Sequence, residues 1–118
     1  MIKFTIPIKV NAQYGLNKVY AGVHWSKRKA QAEEIHDLVY YSMMQQNVPP
    51  VLYKKPVSIT IYWDTRLDLD NTAYMRKMII DGLKGYLIKD DDRRYVKELI
   101  DRFNNENKIK IEVKEFNG

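Results

Sequence analysis

The chain has 118 residues, no cysteine and a formal net charge of +5. Disulfides, zinc–thiolate centres and cysteine nucleophiles are therefore excluded, and the length suits one domain that buries a core without staples. No apolar run reaches the roughly 20 residues of a membrane span, and the first residues lack the long apolar core of a signal peptide. The expectation is a cytoplasmic protein with no membrane association.

A pI near 9.3 favours anionic partners, nucleic acid above all. A basic chain that binds nothing in particular would carry the same charge. In chain order, MIKFTIPIKV alternates. Ile2, Phe4, Ile6, Ile8 and Val10 share one face and Lys3, Thr5, Pro7 and Lys9 the other, as in a half-buried strand. Pro7 has no N–H, which predicts a sheet edge. NAQYGLNKVYAGV reads as a loop. HWSKRKAQAEEIHDLVYYSMMQQ reads as a helix with Ser26 as N-cap and Ile35, Leu38, Val39, Ser42 and Met43 turned inward. Pro49, Pro50 and Pro56 punctuate the segment that follows.

VSITIYWD alternates again, with Val57, Ile59, Ile61 and Trp63 on one side of a strand. NTAYMRKMIIDGLKGY is a second helix whose apolar side is Met75, Met78, Ile79, Leu83 and Tyr86; Gly85 suits its end. LIKDDDRR reads as a charged loop. YVKELIDRF and KIKIEVKEF are strands, and the Asn-rich NNEN between them predicts a hairpin. The order β-α-β-α-β-β predicts an α/β (α+β) fold, a single domain over residues 1–118 with a mixed sheet of about four strands carrying two helices.

TRLDLDNTAYMRK poses the functional question. If the preceding strand extends through Leu67 and Leu69, Asp68 and Asp70 project to one side. Two adjacent carboxylates repel, and a divalent cation removes the penalty. Mg²⁺ takes one or two carboxylates together with water and substrate phosphate oxygens. The alternative is a solvated loop in which Asp70 caps the next helix. At about 100° per residue, Asp70, Lys77 and Asp81 line one helical stripe. A lysine aimed at two carboxylates suits a metal–phosphate centre; otherwise Lys77 and Asp81 form an ordinary surface pair. Arg76 beside them would be solvated or on a phosphate. The run Asp90, Asp91, Asp92 either closes on the same metal or forms a solvated turn.

The segment DLDNTAYMRKMIIDGLKGYLIKDDDRRYVKEL resembles the RusA family of Holliday junction resolvases, the crossover junction endodeoxyribonucleases of bacteria and phages. The shared pattern is Asp68, Asp70, Asn71, a helix carrying Lys77, then Asp81-Gly82-Leu83 and Asp90-Asp91 before a strand. NKVYAGVHWSKRKAQ also looks like the N-terminal region of phage-type members, so the resemblance runs from about Asn17 to Leu99. It implies a homodimer that binds four-way DNA and nicks two opposing strands symmetrically during recombination and repair, with Mg²⁺ or Mn²⁺. It implies Asp68, Asp70 and Asp91 as metal-binding catalytic residues and Lys77 as the catalytic lysine. Asp90 or Asp92 could stand in for Asp91. The family's best-known members place the lysine four residues after the second aspartate, whereas Lys77 follows Asp70 by seven. The longer gap moves it about 4.5 Å along the helix axis while leaving it on the same side.

Lys27, Arg28 and Lys29 stand in the first turn of the first helix, where cations oppose the helix dipole. Their use would be DNA phosphates, with Asn17, Lys18 and Tyr20 as further contacts; a solvated basic end is the alternative. His24 and His36 are isolated and read as surface or packed residues. For a dimer, the strand faces and the apolar face of the second helix are the candidate surfaces. Two other functions stay open: a nuclease for other branched DNA, and a branched-DNA-binding protein without catalysis.

Overall fold

In the computed structural model the described residues are 1–8, 25–66 and 72–118. Val10, Asn17, Lys18, Tyr20, His24, Asp68, Asp70 and Asn71 lie outside them. The elements are β1 (Ile2–Ile6), α1 (Trp25–Gln45), β2 (Val57–Trp63), α2 (Ala73–Leu83), β3 (Val96–Phe103) and β4 (Ile109–Glu115). This is the expected β-α-β-α-β-β order, an α+β unit with a four-stranded mixed sheet.

The strand order is β1-β4-β2-β3. β2 and β3 run parallel, joined through α2, while β4 is antiparallel to both β2 and β1. The expected hairpin between β3 and β4 does not form, because β2 lies between them. β2 is buried at six of its seven positions and needs a neighbour on each side. The connection instead passes the end of β2. There the Asn104 N–H donates to the Trp63 carbonyl (2.8 Å) and the Asn107 N–H to Asp64 Oδ2 (2.7 Å). Asn107 takes φ 56°, a left-handed conformation that asparagine tolerates. β1 occupies an edge and ends just before Pro7, as the missing N–H predicts. β2 ends at Trp63, and Asp64, Thr65 and Arg66 do not continue it, so the run of strand towards Leu67 is not met.

The core joins the inward sides of Phe4, Ile6, Ile59, Ile61, Trp63, Ile109, Ile111 and Val113 to Ile35, Val39 and Met43 of α1 and Met75, Met78, Ile79 and Leu83 of α2. Full burial of each such side chain contributes about 1.5–3 kcal/mol. The apolar face of α2 is thus spent inside the fold and is no dimer surface, contrary to the expectation above. α1 already begins at Trp25, so Ser26 lies inside the first turn and is not its N-cap. A shift of this size is usual at helix ends. Gly82 has a packing reason: a Cβ there would stand 3.0 Å from Val39 Cβ, so its absence lets α1 and α2 approach.

Gly85, at φ +81°, turns the chain after α2. Leu87 and Ile88, assigned above to a charged loop, are in fact buried, and both donate their N–H to the Leu83 carbonyl. They anchor the acidic run that follows. No helix among the described residues is long and apolar enough to cross a membrane.

Candidate functional site

α2 presents Arg76 and Lys77 side by side, yet the two do opposite things. Arg76 reaches across to β3. Its Nε donates to Asp101 Oδ1 (3.1 Å) and its Nη2 to Asp101 Oδ2 (2.8 Å) and Thr72 Oγ1 (2.9 Å). Trp63 Nε1 donates to the same Asp101 (2.9 Å). The Arg76 and Asp101 side chains are 17% and 20% exposed, so the arginine expected to be solvated or on a phosphate is instead a largely buried strut tying α2 to β2 and β3. The planar guanidinium fork meeting a carboxylate with two parallel bonds is the strong form of this contact.

Lys77 is 72% exposed on its side chain and pairs with Asp81 Oδ2 at 3.1 Å. The i,i+4 pair read from the sequence is therefore present. Lys84, one turn further, gathers three carboxylates. Its Nζ lies 3.1 Å from Asp81 Oδ1, 3.6 Å from Asp90 Oδ1 and 3.4 Å from Asp91 Oδ2. Burial pushes the Asp81 carboxyl up, but hydrogen bonds from Lys84 and Lys77 outweigh it and leave the group below its ordinary value. Its hydrogen bond to Asp81 raises Lys84, against a smaller opposing effect of burial. Lys84 was missed in the sequence. Its i,i+3 spacing from Asp81 was the available signal.

The three loop aspartates are separated by their partners. Asp90 Oδ1 accepts the Asp91 N–H (2.8 Å), which holds its carboxyl low. Asp92 accepts Arg94 Nε (3.1 Å) and Nη2 (2.8 Å), and this hydrogen bonding lowers it to about 2. Asp91 is the one that lines an open cleft of about 410 Å³ between α2 and β3. Ala73 at the start of α2, Arg76 and Lys77 line the same cleft, with Val96 to Leu99 of β3 opposite.

On the other side of Lys77, a groove of about 270 Å³ between α1 and α2 is lined by Arg28, Lys29, Tyr74 and Asp81. The Tyr74 hydroxyl donates to Gln31 Oε1 at 3.1 Å and joins the two helices there. The structure therefore brings Lys77 and Asp91 together, and sets Arg28 and Lys29 beside them. Lys27 is exposed on the first turn of α1. His36 is half-buried and not part of either hollow.

Among the described residues, no group of three or more His, Cys, Asp or Glu side chains is placed to hold a metal ion. Asp91 offers a carboxylate at the cleft, 38% exposed on its side chain, and Lys84 Nζ is its cation in this structure. A carboxylate such as Asp91 is a hard oxygen donor of the type that Mg²⁺ or Mn²⁺ takes. The chain matches no protein-family model, and no curated protein matches it.

Proposed function

We propose that the protein is a divalent-metal-dependent endonuclease that cuts four-way, Holliday-type DNA junctions as a homodimer. The observation that carries this reading is the shared cleft of Asp91 and Lys77, opening at the first residue of the helix that follows Asp68-x-Asp70-Asn71. Charge and pattern agree with it: a basic chain sets a lysine and an acidic loop together, next to Arg28 and Lys29.

Asp68, Asp70 and Asp91 would hold Mg²⁺, with Mn²⁺ able to replace it. When bound, the ion supplies Lewis acidity to the scissile phosphate and acidifies a water. Lys77 neutralises charge that develops on the non-bridging phosphate oxygens. Asp81 pins the lysine from below, since its carboxylate already holds the Nζ. Water oxygen bonds to phosphorus, the P–O3′ bond breaks, and the departing 3′ oxygen takes a proton. The products are a 5′-phosphate and a 3′-hydroxyl. Lys27, Arg28 and Lys29 bind neighbouring phosphates, with Asn17 and Lys18 as further contacts. Arg76 serves by holding the wall of the cleft.

One observation favours a second reading. Lys84 Nζ supplies Asp81, Asp90 and Asp91 with a cation of the protein's own, as a protein without a catalytic ion would require. That reading is a branched-DNA-binding protein without catalysis. A labelled synthetic four-way junction and a matched linear duplex, incubated with Mg²⁺, Mn²⁺ or EDTA, separate the two. Paired symmetric nicks on the junction, lost in EDTA and in Asp70→Asn, support the nuclease. Binding without cleavage under either metal supports the second reading, and equal cleavage of the duplex refutes junction specificity.

A further inference from the structure

The two edges of the sheet are finished differently. β1 is five residues long and Pro7 follows at once. β3 is eight residues long, contains no proline and pairs with β2 along one side. Among the described residues no strand meets its other side, which leaves a row of backbone donors and acceptors. Asp101 meets Arg76 of α2, so Leu99 and Phe103 share the helix side of the strand. The helix does not cover them: they remain 40% and 56% exposed. Glu98, Ile100 and Arg102 share the opposite face, beside Ser58, Thr60 and Tyr62 of β2.

We propose that β3 is the homodimer interface: a second copy lays its own β3 antiparallel to this one, about a two-fold axis that crosses the sheet at Ile100. The two sheets become one. Such an axis keeps every residue on its own face, and a residue at the axis meets its own counterpart.

Charge selects the register. With Ile100 on the axis, Glu98 lies opposite Arg102 of the partner subunit, and symmetry repeats the pair. Unlike charges directly opposed across strands are favourable, and like charges are not. A shift that puts Asp101 on the axis sets two Asp101 carboxylates face to face. A shift that puts Leu99 on the axis offers Lys97 to Asp101, but Asp101 already accepts three hydrogen bonds from Arg76 and Trp63, whereas Glu98 accepts one, from Ser58 Oγ (2.6 Å). In the Ile100 register, Leu99 and Phe103 become diagonal neighbours across the axis, about 7–8 Å apart at the backbone, within reach of long side chains. Their exposed surface is thereby covered.

The pairing stands on the strand alone. Its consequence rests on the nuclease reading: an axis perpendicular to the sheet puts both clefts on one side of the joined sheet, facing a single two-fold-symmetric DNA.

Light scattering on the size-fractionated protein tests the pairing without DNA or metal, so its outcome is independent of the cleavage assay. The wild type is expected to be a dimer. Glu98→Arg sets arginine against arginine, and Arg102→Glu sets glutamate against glutamate, so each variant alone is expected to be monomeric. Mixed in equal amounts they are expected to form a heterodimer, because every opposed pair is again unlike. A monomeric wild type, a single variant that stays dimeric, or a mixture that stays monomeric would overturn the proposal. Circular dichroism establishes that each variant is folded. Ile100→Cys gives a reading that does not need the charge variants. The chain has no cysteine of its own, and strands paired at this residue place the two Cα atoms within disulfide range. A disulfide-linked dimer on mild oxidation is expected, and its absence would also overturn the register.

Discussion

Two charged clusters flank α2, and they are built to opposite rules. On one side a single arginine meets a single aspartate. Arg76 and Asp101 form two parallel hydrogen bonds, Thr72 and Trp63 fill the remaining positions, and both side chains are about four-fifths buried. On the other side Lys77 meets Asp81 at 3.1 Å, and Lys84 meets Asp81, Asp90 and Asp91 at 3.1 to 3.6 Å. Charge is balanced in the first cluster; in the second, three carboxylates meet two lysines, with Arg28 and Lys29 lining the groove beside Asp81. A balanced, largely buried pair rigidifies the wall of a cleft. Of the second cluster, Lys77 and Asp91 line that cleft, and Asp91 is the carboxylate that our proposal gives to the metal. The same helix supports both, because Arg76 and Lys77 are adjacent and so point to different sides.

The comparison yields variants whose effects should divide cleanly. Asp91→Asn should bring metal-dependent junction cleavage below detection while moving the melting temperature little, as a cleavage assay and a thermal melt on one preparation would show. Asp101→Ala should do the reverse in kind. It takes both Asp101 hydrogen bonds from Arg76, whose side chain is largely buried, at about 3 kcal/mol, which a denaturant titration would read and which corresponds to a fall of about 10 °C in the melting temperature. Lys77→Ala should lower single-turnover cleavage about 100-fold with stability nearly unchanged, since its ion pair is exposed.

Lys84→Met should lower stability by about 1 kcal/mol or less, with a defined pH dependence. The Asp81 carboxyl is lowered from 3.8 in the folded chain, so its stabilisation is present at neutral pH and is lost as pH falls through 3.8 towards the folded value. Lys84 is raised from 10.5, so its part is present below 10.5 and is lost as pH rises through the folded value. The difference in melting temperature between wild type and Lys84→Met should therefore be flat through neutral pH and shrink at both extremes.

What the sequence disclosed follows from which signals are local. Alternation in VSITIYW and KIKIEVK is a period-2 pattern, so both strands were legible, and so was the edge at Pro7. The i,i+4 pairing of Lys77 with Asp81 was legible for the same reason. Strand order was not. NNEN reads as a hairpin turn, and only the burial of β2 against both β4 and β3 excludes it. Arg76 looked solvated because its partner, Asp101, lies 25 positions away on a strand that pairs through tertiary contacts. Leu87 and Ile88 were assigned to the charged loop because aspartates follow them, although their own side chains close the core. In the site, the residues left open whether the acidic run closes on the centre that Lys77 faces or forms a solvated turn, and the structure sets Asp91 and Lys77 in one cleft. Lys84 has a local signal, its place three residues after Asp81.

The proposed function requires Asp91 to help hold a cation and Asp101 to act as a strut alone. A Mn²⁺ titration followed by electron paramagnetic resonance tests this directly on wild type, Asp91→Asn and Asp101→Asn. The account predicts that wild type and Asp101→Asn bind Mn²⁺ alike and that Asp91→Asn loses the site. Undiminished binding by Asp91→Asn would contradict it.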